Sequence, residues 1–184
     1  MSDRIAQATS ILQQGGVIAY PTEAVYGLGC DPNRLDAVQR ILDLKQRPAE
    51  KGLILVAADF SQLEAWLLPL EPAIRQRVLA AWPGPVTWLC PVRPEVSPLV
   101  RGTHATLAVR VSAHPLVQSL CKAFGGPLIS TSANISDQPA ARSAAEVQTI
   151  FGEQLDLIVE GELGESARPT EIRDALTNTI IRSA

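Results

Sequence analysis

The sequence predicts a single α/β domain, residues 1–184, in which a twisted, mixed β-sheet is flanked by helices. Segments with an apolar residue every three or four positions alternate with short apolar runs, giving about seven strands and about six helices. Some successive strands, such as 86–90 and 106–111, have no helix between them, which favours a mixed sheet over a wholly parallel one. The 184 residues, 46% of them hydrophobic, suffice for one buried core.

The first third of the chain is predicted to alternate between helix and strand. Apolar residues at helical spacing, such as Leu35, Val38 and Ile41, define the helices, and Pro48 prevents the second helix from continuing. In order, we expect a helix at 5–12 that Gly15-Gly16 end, a strand at 17–20 that Pro21 stops, a Gly- and Pro-rich loop at 21–33, a helix at 35–42, a charged loop at 45–51 and a strand at 53–58.

The rest of the chain is predicted from caps, prolines and apolar runs. Ser61 is expected to cap a helix that contains Leu63, Trp66 and Leu67, and Pro72 suits the first turn of the next helix. Thereafter we expect that helix to reach 81, a break at 82–85, strands at 86–90 and 106–111, a helix at 114–124, a strand at 127–131, a helix at 143–152 that opens with a capping box, and strands at 155–160 and 179–182.

Composition and short segments exclude several classes of protein. The longest apolar run, 53–58, is far too short to span a bilayer, and the N-terminus lacks the order of a signal peptide, so we expect a cytoplasmic protein without membrane contact. Three widely spaced cysteines and two histidines suggest neither a disulfide framework nor a metal centre built by the protein. A net charge of −3 and 4% aromatic residues disfavour an extended RNA platform but leave a local basic groove open.

Polar and cationic residues collect in two segments. Ser130, Thr131, Ser132 and Asn134 follow a buried strand, and buried hydroxyl or amide groups need hydrogen-bond partners. The loop at 45–51 supplies three cations, Lys45, Arg47 and Lys51. Together they favour a site for an anionic, polyhydroxylated ligand. The simpler alternatives are a turn that ends a strand and a solvated charged loop.

Two further residues stand out. Thr22 places a hydroxyl just after a strand end, where ligand sites of α/β proteins collect, although an ordinary connection would look the same. Arg110 interrupts an otherwise apolar strand, so it either extends from a sheet edge, pairs with an acid, or aims its fork at a ligand carboxylate. Neither a Walker A motif nor a dinucleotide-binding glycine motif is present, so side chains would hold any nucleotide phosphates.

Six blocks, in order along the whole chain, closely resemble the YrdC/TsaC family, the threonylcarbamoyl-AMP synthases of tRNA modification. They are PTEAVYGLGCD at 21–31, KQRPAEKGL at 45–53, WPGPVT at 82–87, AVRV at 108–111 with His114-Pro115, PLISTSANIS at 127–136 and RPTEIRDA at 168–175. The chain is similar to the short TsaC form, and it departs from the family at 137–139, where a glycine commonly follows the serine. The resemblance implies a YrdC-like fold with a central concave cleft.

The resemblance also implies the reaction. L-threonine, bicarbonate and ATP would give threonylcarbamoyl-AMP and pyrophosphate with Mg²⁺, as the first step towards N6-threonylcarbamoyladenosine in tRNA. The catalytic residues would be Lys45, Arg47 and Lys51. ATP would contact Lys45, Arg47, Asn134, Arg142 and Ser143, and threonine would contact Thr22, Lys51, Arg110 and Ser132. The implied partners are a TsaD/TsaB/TsaE-type transferase complex and, weakly, tRNA.

Two alternatives from other classes are weaker. A noncatalytic RNA-binding module could present a basic concave face, but the acidic pI of about 5.4 and the sparse aromatic residues disfavour it. An acyl or carbamoyl hydrolase could use Ser130 or Ser132, but no nucleophile elbow and no convincing histidine partner accompany them. Pyrophosphate release that requires both threonine and bicarbonate discriminates the synthase from both.

Overall fold

The computed structural model describes residues 2–165 and 170–183, and these form one mixed sheet with helices on both faces. The helices are α1 (Ser2–Gln13), α2 (Leu35–Lys45), α3 (Pro72–Ala80), α4 (Pro98–Arg101), α5 (Pro115–Phe124) and α6 (Ala144–Phe151). The strands are β1 (Ile18–Pro21), β2 (Tyr26–Gly29), β3 (Ile54–Ala57), β4 (Val86–Pro91), β5 (Thr106–Val111), β6 (Leu128–Ser132), β7 (Leu157–Ile158), β8 (Glu171–Asp174) and β9 (Ile180–Arg182).

The sheet runs in the order β7-β1-β2-β6-β3-β5-β4-β8-β9. The pairs β1–β7, β3–β5 and β4–β8 are parallel, and the other neighbours are antiparallel. The predicted fold class, an α/β domain with a mixed sheet, is therefore confirmed.

Alternating side chains of the strands contribute to two hydrophobic cores, one on each face of the sheet. On β1, Ile18 and Tyr20 face the core under α1 and α5, whereas Ala19 joins the core under α2 and α6. Val56 and Leu55 of β3 divide in the same way. This two-residue period is what a sheet covered on both faces requires. The central strands are thus fixed from both sides and provide a rigid base for polar groups at their ends.

Two predicted elements are wrong. The segment 21–33 is not only a loop, because it contains β2; a Cβ at Gly29 would lie 2.6 Å from the Ile129 carbonyl oxygen, so glycine here permits close strand approach. Residues 61–67 form no α-helix. Asp59, rather than Ser61, caps a single 3₁₀ turn at Phe60–Gln62. The backbone then pairs with 91–93, through Leu68 N–H to the Pro91 carbonyl, and this pairing replaces helical bonds.

Other differences concern short elements. Strand β8 and the four-residue helix α4 are absent from the predicted order, since each is too short to show a period of its own. The capping box is confirmed in part. Ser143 caps α6 by accepting the Glu146 N–H at 3.2 Å, but the Glu146 carboxylate accepts the Arg142 N–H instead of that of Ser143.

Candidate active site

A cavity of about 480 Å³ opens beside the central strands. Strand register brings its walls together, because Ser130 of β6, Ile54 of β3 and Ala108 of β5 lie side by side and all line it. Among the described lining residues, Glu23 is the one carboxylate. The cationic lining residues are Arg47, Lys51, Arg101, Arg110 and Arg182. The cavity therefore favours anionic ligands electrostatically.

Arg110 lies in the interior of the sheet and is 6% exposed. Its strand β5 is flanked by β3 and β4, so the alternative of an arginine extending from a sheet edge is wrong. Nη1 donates to the Thr170 hydroxyl at 2.8 Å, and Nη2 lies 3.3 Å from Glu23 Oε2. The Thr170 carbonyl accepts from Arg182 Nη2 at 2.8 Å, which brings a second guanidinium to the same residue. Burial and the charge of Arg110 lower the pKa of Arg182.

The other oxygen of the Glu23 carboxylate, Oε1, is held by a hydrogen bond. This oxygen accepts a 2.6 Å hydrogen bond from the Ser112 hydroxyl, and the Ser112 oxygen in turn accepts the His114 N–H at 3.1 Å. His114 is anchored through Nε2, which lies 3.1 Å from the Glu162 carbonyl. Glu23 and Arg110 thus form a buried ion pair that faces the cavity.

Lys45 is the last residue of α2 and is only 2% exposed. Its ammonium donates to the Ser132 carbonyl at 2.5 Å, the Asn134 carbonyl at 2.9 Å and Asn134 Oδ1 at 3.0 Å. Asn134 Oδ1 also accepts the Ser132 hydroxyl at 2.6 Å. Burial, with a smaller effect of Arg47, lowers the pKa of Lys45 to about 8. Lys45 therefore ties the turn 132–134 to the end of α2 with all three of its N–H groups.

The loop after α2 presents Arg47 and Lys51 to the cavity. Arg47 Nε and Nη2 both donate to the Gly52 carbonyl, at 3.1 and 2.9 Å, and burial lowers the pKa of its guanidinium. Lys51 is exposed. The loop packs on Gly102, where a Cβ would lie 2.3 Å from the Glu50 carbonyl oxygen, so this glycine permits the close contact.

A second cavity, of about 500 Å³, lies between α2 and α6. Arg40 lines it but is already paired with Asp156 at 2.7 Å. None of the cationic residues of the first cavity lines it. The charge arrangement therefore favours the first cavity as the functional site.

The chain matches the Sua5/YciO/YrdC family model, described as "Telomere recombination", over residues 10–184. The chain belongs to the Sua5/YciO/YrdC family. A Stenotrophomonas maltophilia protein named Threonylcarbamoyl-AMP synthase is 56% identical over 178 residues, 96% of each chain. A Photobacterium profundum protein of the same name is 51% identical over 182 residues, 98% of each chain. The resemblance seen in the six blocks is confirmed.

Solved structures of the Sua5/YciO/YrdC family share the fold. The crystal structure of P. abyssi Sua5 complexed with L-threonine superposes with a TM-score of 0.86 at 33% identity, covering 92% of this chain and 50% of that chain. This chain thus spans about half the length of that Sua5. The crystal structure of E. coli YciO gives a TM-score of 0.85 at 30% identity, covering 99% of this chain and 89% of that chain.

The structure brings together only part of the predicted site. Thr22, Arg47, Lys51, Arg110 and Ser132 all line the cavity of this Sua5/YciO/YrdC domain. Thr22 is itself buried, and its hydroxyl donates to the Val25 carbonyl at 2.7 Å. The remaining predicted residues, Lys45, Asn134, Arg142 and Ser143, lie outside its lining, with Lys45 and Asn134 directly behind Ser132.

Sequence reasoning does not single out several polar residues of the lining, among them Glu23, Arg101, His104, Thr170 and Arg182. Glu23 and Thr170 lie within the blocks 21–31 and 168–175 that resemble the family, and this location could have indicated them. Arg101 and His104 lie outside the blocks, and only the packing of their segment against the loop 50–52 shows that they face the cavity. Arg168 and Pro169, which open the last block, lie outside the described residues.

Cysteines and acidic residues of the described chain do not suggest further sites. Cys30, Cys90 and Cys121 are free and buried, and burial raises the pKa of each thiol, to about 12 for Cys90 and Cys121. Over residues 2–165 and 170–183, no group of three His, Cys, Asp or Glu residues could hold a metal ion. In the same residues, every helix is too short or too polar to traverse a bilayer.

Proposed function

We propose that the chain forms threonylcarbamoyl-AMP and pyrophosphate from L-threonine, bicarbonate and ATP. The observation that carries this proposal is the layout of the cavity. A buried guanidinium, Arg110, the cationic residues Arg47 and Lys51, and the hydroxyl-bearing residue Ser132 all line this one cavity. The names of relatives that match 96–98% of the chain at 51–56% identity support it.

The amino acid occupies the Arg110 side. Arg110 binds the threonine carboxylate, because a guanidinium offers parallel donors that match a carboxylate. Thr22 and Ser132 contact the rest of the molecule. In the first step, the threonine ammonium and bicarbonate combine to give the carbamate, water and one proton.

The nucleotide occupies the side of the cationic loop. There Arg47 and Lys51 bind ATP phosphates, and Lys51 borders both substrates. A carbamate oxygen attacks the α-phosphorus of ATP, and the bond from that phosphorus to the oxygen of the departing pyrophosphate breaks. Both reactants are anionic, so fixed cations that neutralise their charge lower the barrier. Holding the carbamate near the phosphorus contributes by proximity.

Lys45 and Asn134 act from behind Ser132. Three bonds from the Lys45 ammonium fix the turn 132–134, and we assign to this turn the orientation of the triphosphate. The Lys45 charge adds to the positive potential of the phosphate site. Arg142 and Ser143, at the start of α6, would line the nucleoside side of a bound ATP that extends beyond the cavity.

The described residues of the cavity lining do not build a dedicated Mg²⁺ site. Glu23, the one carboxylate among the described lining residues, is already bonded to Ser112 and faces Arg110. Mg²⁺ in phosphoryl-transfer enzymes is commonly bound largely through the substrate phosphates and water. Mg²⁺ therefore enters bound to ATP in this proposal.

The proposed biological setting follows the resemblance. The domain, residues 1–184, works in the cytoplasm, and free buried thiols such as Cys90 agree with a reducing compartment. Its product passes to a TsaD/TsaB/TsaE-type transferase complex that modifies tRNA, and any contact of this chain with tRNA is weak. The hydrolase alternative is not supported, because the Ser132 hydroxyl donates to Asn134 and no described histidine bonds to Ser130 or Ser132.

The test is ATP turnover by the purified chain with each substrate left out in turn. We expect pyrophosphate release that requires L-threonine and bicarbonate together, and mass spectrometry should detect threonylcarbamoyl-AMP. Release of pyrophosphate without threonine, or release of adenylate products that lack the carbamoyl carbon when labelled bicarbonate is supplied, would contradict the proposal.

A further inference from the structure

We propose that Glu23 binds the α-ammonium group of the amino-acid substrate, opposite the carboxylate on Arg110, and so restricts the site to zwitterionic amino acids. This inference rests on the proposed function, and it assigns a role to the one acidic residue among the described residues of the cavity lining.

The ion pair between Glu23 and Arg110 is incomplete. Charge-assisted bonds between arginine and carboxylate are usually about 2.7–2.9 Å long and often bidentate. Here Arg110 and Glu23 share one contact of 3.3 Å, although Glu23 is 8% and Arg110 6% exposed. Among the described residues, neither Arg110 Nε nor Glu23 Oε2 has a hydrogen-bond partner. Buried polar groups are normally satisfied, so this pair leaves capacity for a ligand on both partners.

A ligand that uses this capacity must offer one partner to Arg110 and another to Glu23. A simple anion would satisfy Arg110 but would also lie against the Glu23 carboxylate. A simple cation would be repelled by Arg110 and Arg182. A molecule that carries a carboxylate and an ammonium group on one carbon provides a partner for each residue. An α-amino acid is that molecule.

Both side chains are held in place by other residues before a ligand binds. The Ser112 hydroxyl holds Glu23 Oε1 and is itself fixed by the His114 N–H, while the Thr170 hydroxyl holds Arg110 Nη1. The two charged groups therefore keep their places when the ligand binds alongside them. Such preorganisation lowers the entropy cost of binding.

The experiment compares binding of L-threonine with binding of (R)-3-hydroxybutanoate, which is threonine without its amine, by calorimetric titration of the full chain. We expect Glu23→Gln to weaken threonine binding about 10- to 100-fold, as loss of a charge-assisted bond does, without weakening hydroxybutanoate binding. Glu153→Gln removes the same charge from an exposed position outside both cavities, so it is the matched control and should change neither affinity.

Ser112→Ala supplies a second variant that keeps both charges. It removes the hydroxyl that orients Glu23 Oε1 and that also accepts the His114 N–H. We expect a smaller loss of affinity, selective again for threonine. Unchanged threonine affinity in Glu23→Gln, or equal weakening of threonine and hydroxybutanoate, would overturn the inference, since equal weakening means that Glu23 merely orients Arg110. Failure of the wild-type chain to bind threonine would instead overturn the proposed function.

Discussion

Gly102 packs against the loop that carries Lys51, so its replacement by alanine should lower the stability of the protein and change the shape of the cavity. Gly102 has φ +68° and ψ −149°, a region that is essentially restricted to glycine. A Cβ there would lie 2.3 Å from the Glu50 carbonyl oxygen and 2.7 Å from the Gly52 nitrogen, both rigid backbone atoms. We therefore expect Gly102→Ala to displace the segment 50–52, which carries Lys51.

The magnitude follows from two contributions. Backbone strain in such a region costs about 1–3 kcal/mol, and overpacking typically costs a further 1–3 kcal/mol. We expect the free energy of unfolding to fall by about 2–6 kcal/mol, which in a domain of this size lowers Tm by about 4–24 °C. Urea denaturation with linear extrapolation measures the first quantity and a thermal melt the second.

Gly125→Ala is the matched control. Gly125 also has a positive φ, +86°, but a Cβ there meets nothing within 4 Å. Its replacement should cost about 1–2 kcal/mol, the ordinary cost of a left-handed residue. Because Lys51 would be displaced, Gly102→Ala should also weaken the apparent affinity for ATP. Equal losses of stability in the two variants, or an unchanged affinity for ATP in Gly102→Ala, would show that close packing at Gly102 does not position Lys51.

Three further predictions concern single side chains. Arg110→Gln should raise the Kd for threonine about 10- to 100-fold while ATP affinity stays constant, as calorimetry can show; an unchanged threonine Kd would remove Arg110 from the substrate site. Because the pKa of Lys45 is about 8, the group is mostly neutral at pH 9, so ATP affinity should fall up to about tenfold between pH 7 and pH 9. Lys45→Arg, which stays protonated, should abolish that fall, and its persistence would exclude Lys45 as the titrating group. Ser143→Ala should lower the free energy of unfolding, measured by urea denaturation, by about 1 kcal/mol, because the α6 cap is lost. Ser143→Thr keeps a capping hydroxyl and should therefore lose much less stability.

Local sequence patterns predict most of the sheet because each long strand is buried on both faces and reads as an apolar run. The same rule fails for β2, which contains two glycines in four residues, and one of them, Gly29, permits the close approach of a neighbouring strand. It also fails at 61–67, where pairing with 91–93 outweighs helical spacing. Tertiary contacts determine the conformation of both segments, and a short stretch of sequence does not include the residues that make these contacts.

In the candidate site, too, some features follow from local sequence and others from tertiary contacts. Residue type alone singles out Arg110, because an arginine within an apolar strand requires a partner. The identity of that partner, Glu23, depends on strand order and could not be predicted from spacing. Lys45 was expected in a charged loop, but it ends α2 and is buried by the turn 132–134. Its location depends on how a distant segment folds over it.

The central claim is that one cavity holds the amino acid on Arg110 and the triphosphate on the loop that carries Arg47 and Lys51. A crystal structure of the chain with L-threonine and a non-hydrolysable ATP analogue tests this most directly. We predict the threonine carboxylate on the Arg110 guanidinium and the phosphates on Arg47 and Lys51, with the amine close to the α-phosphate. Threonine or the triphosphate bound outside this cavity, with Arg110 and Arg47 contacting neither, would contradict the account.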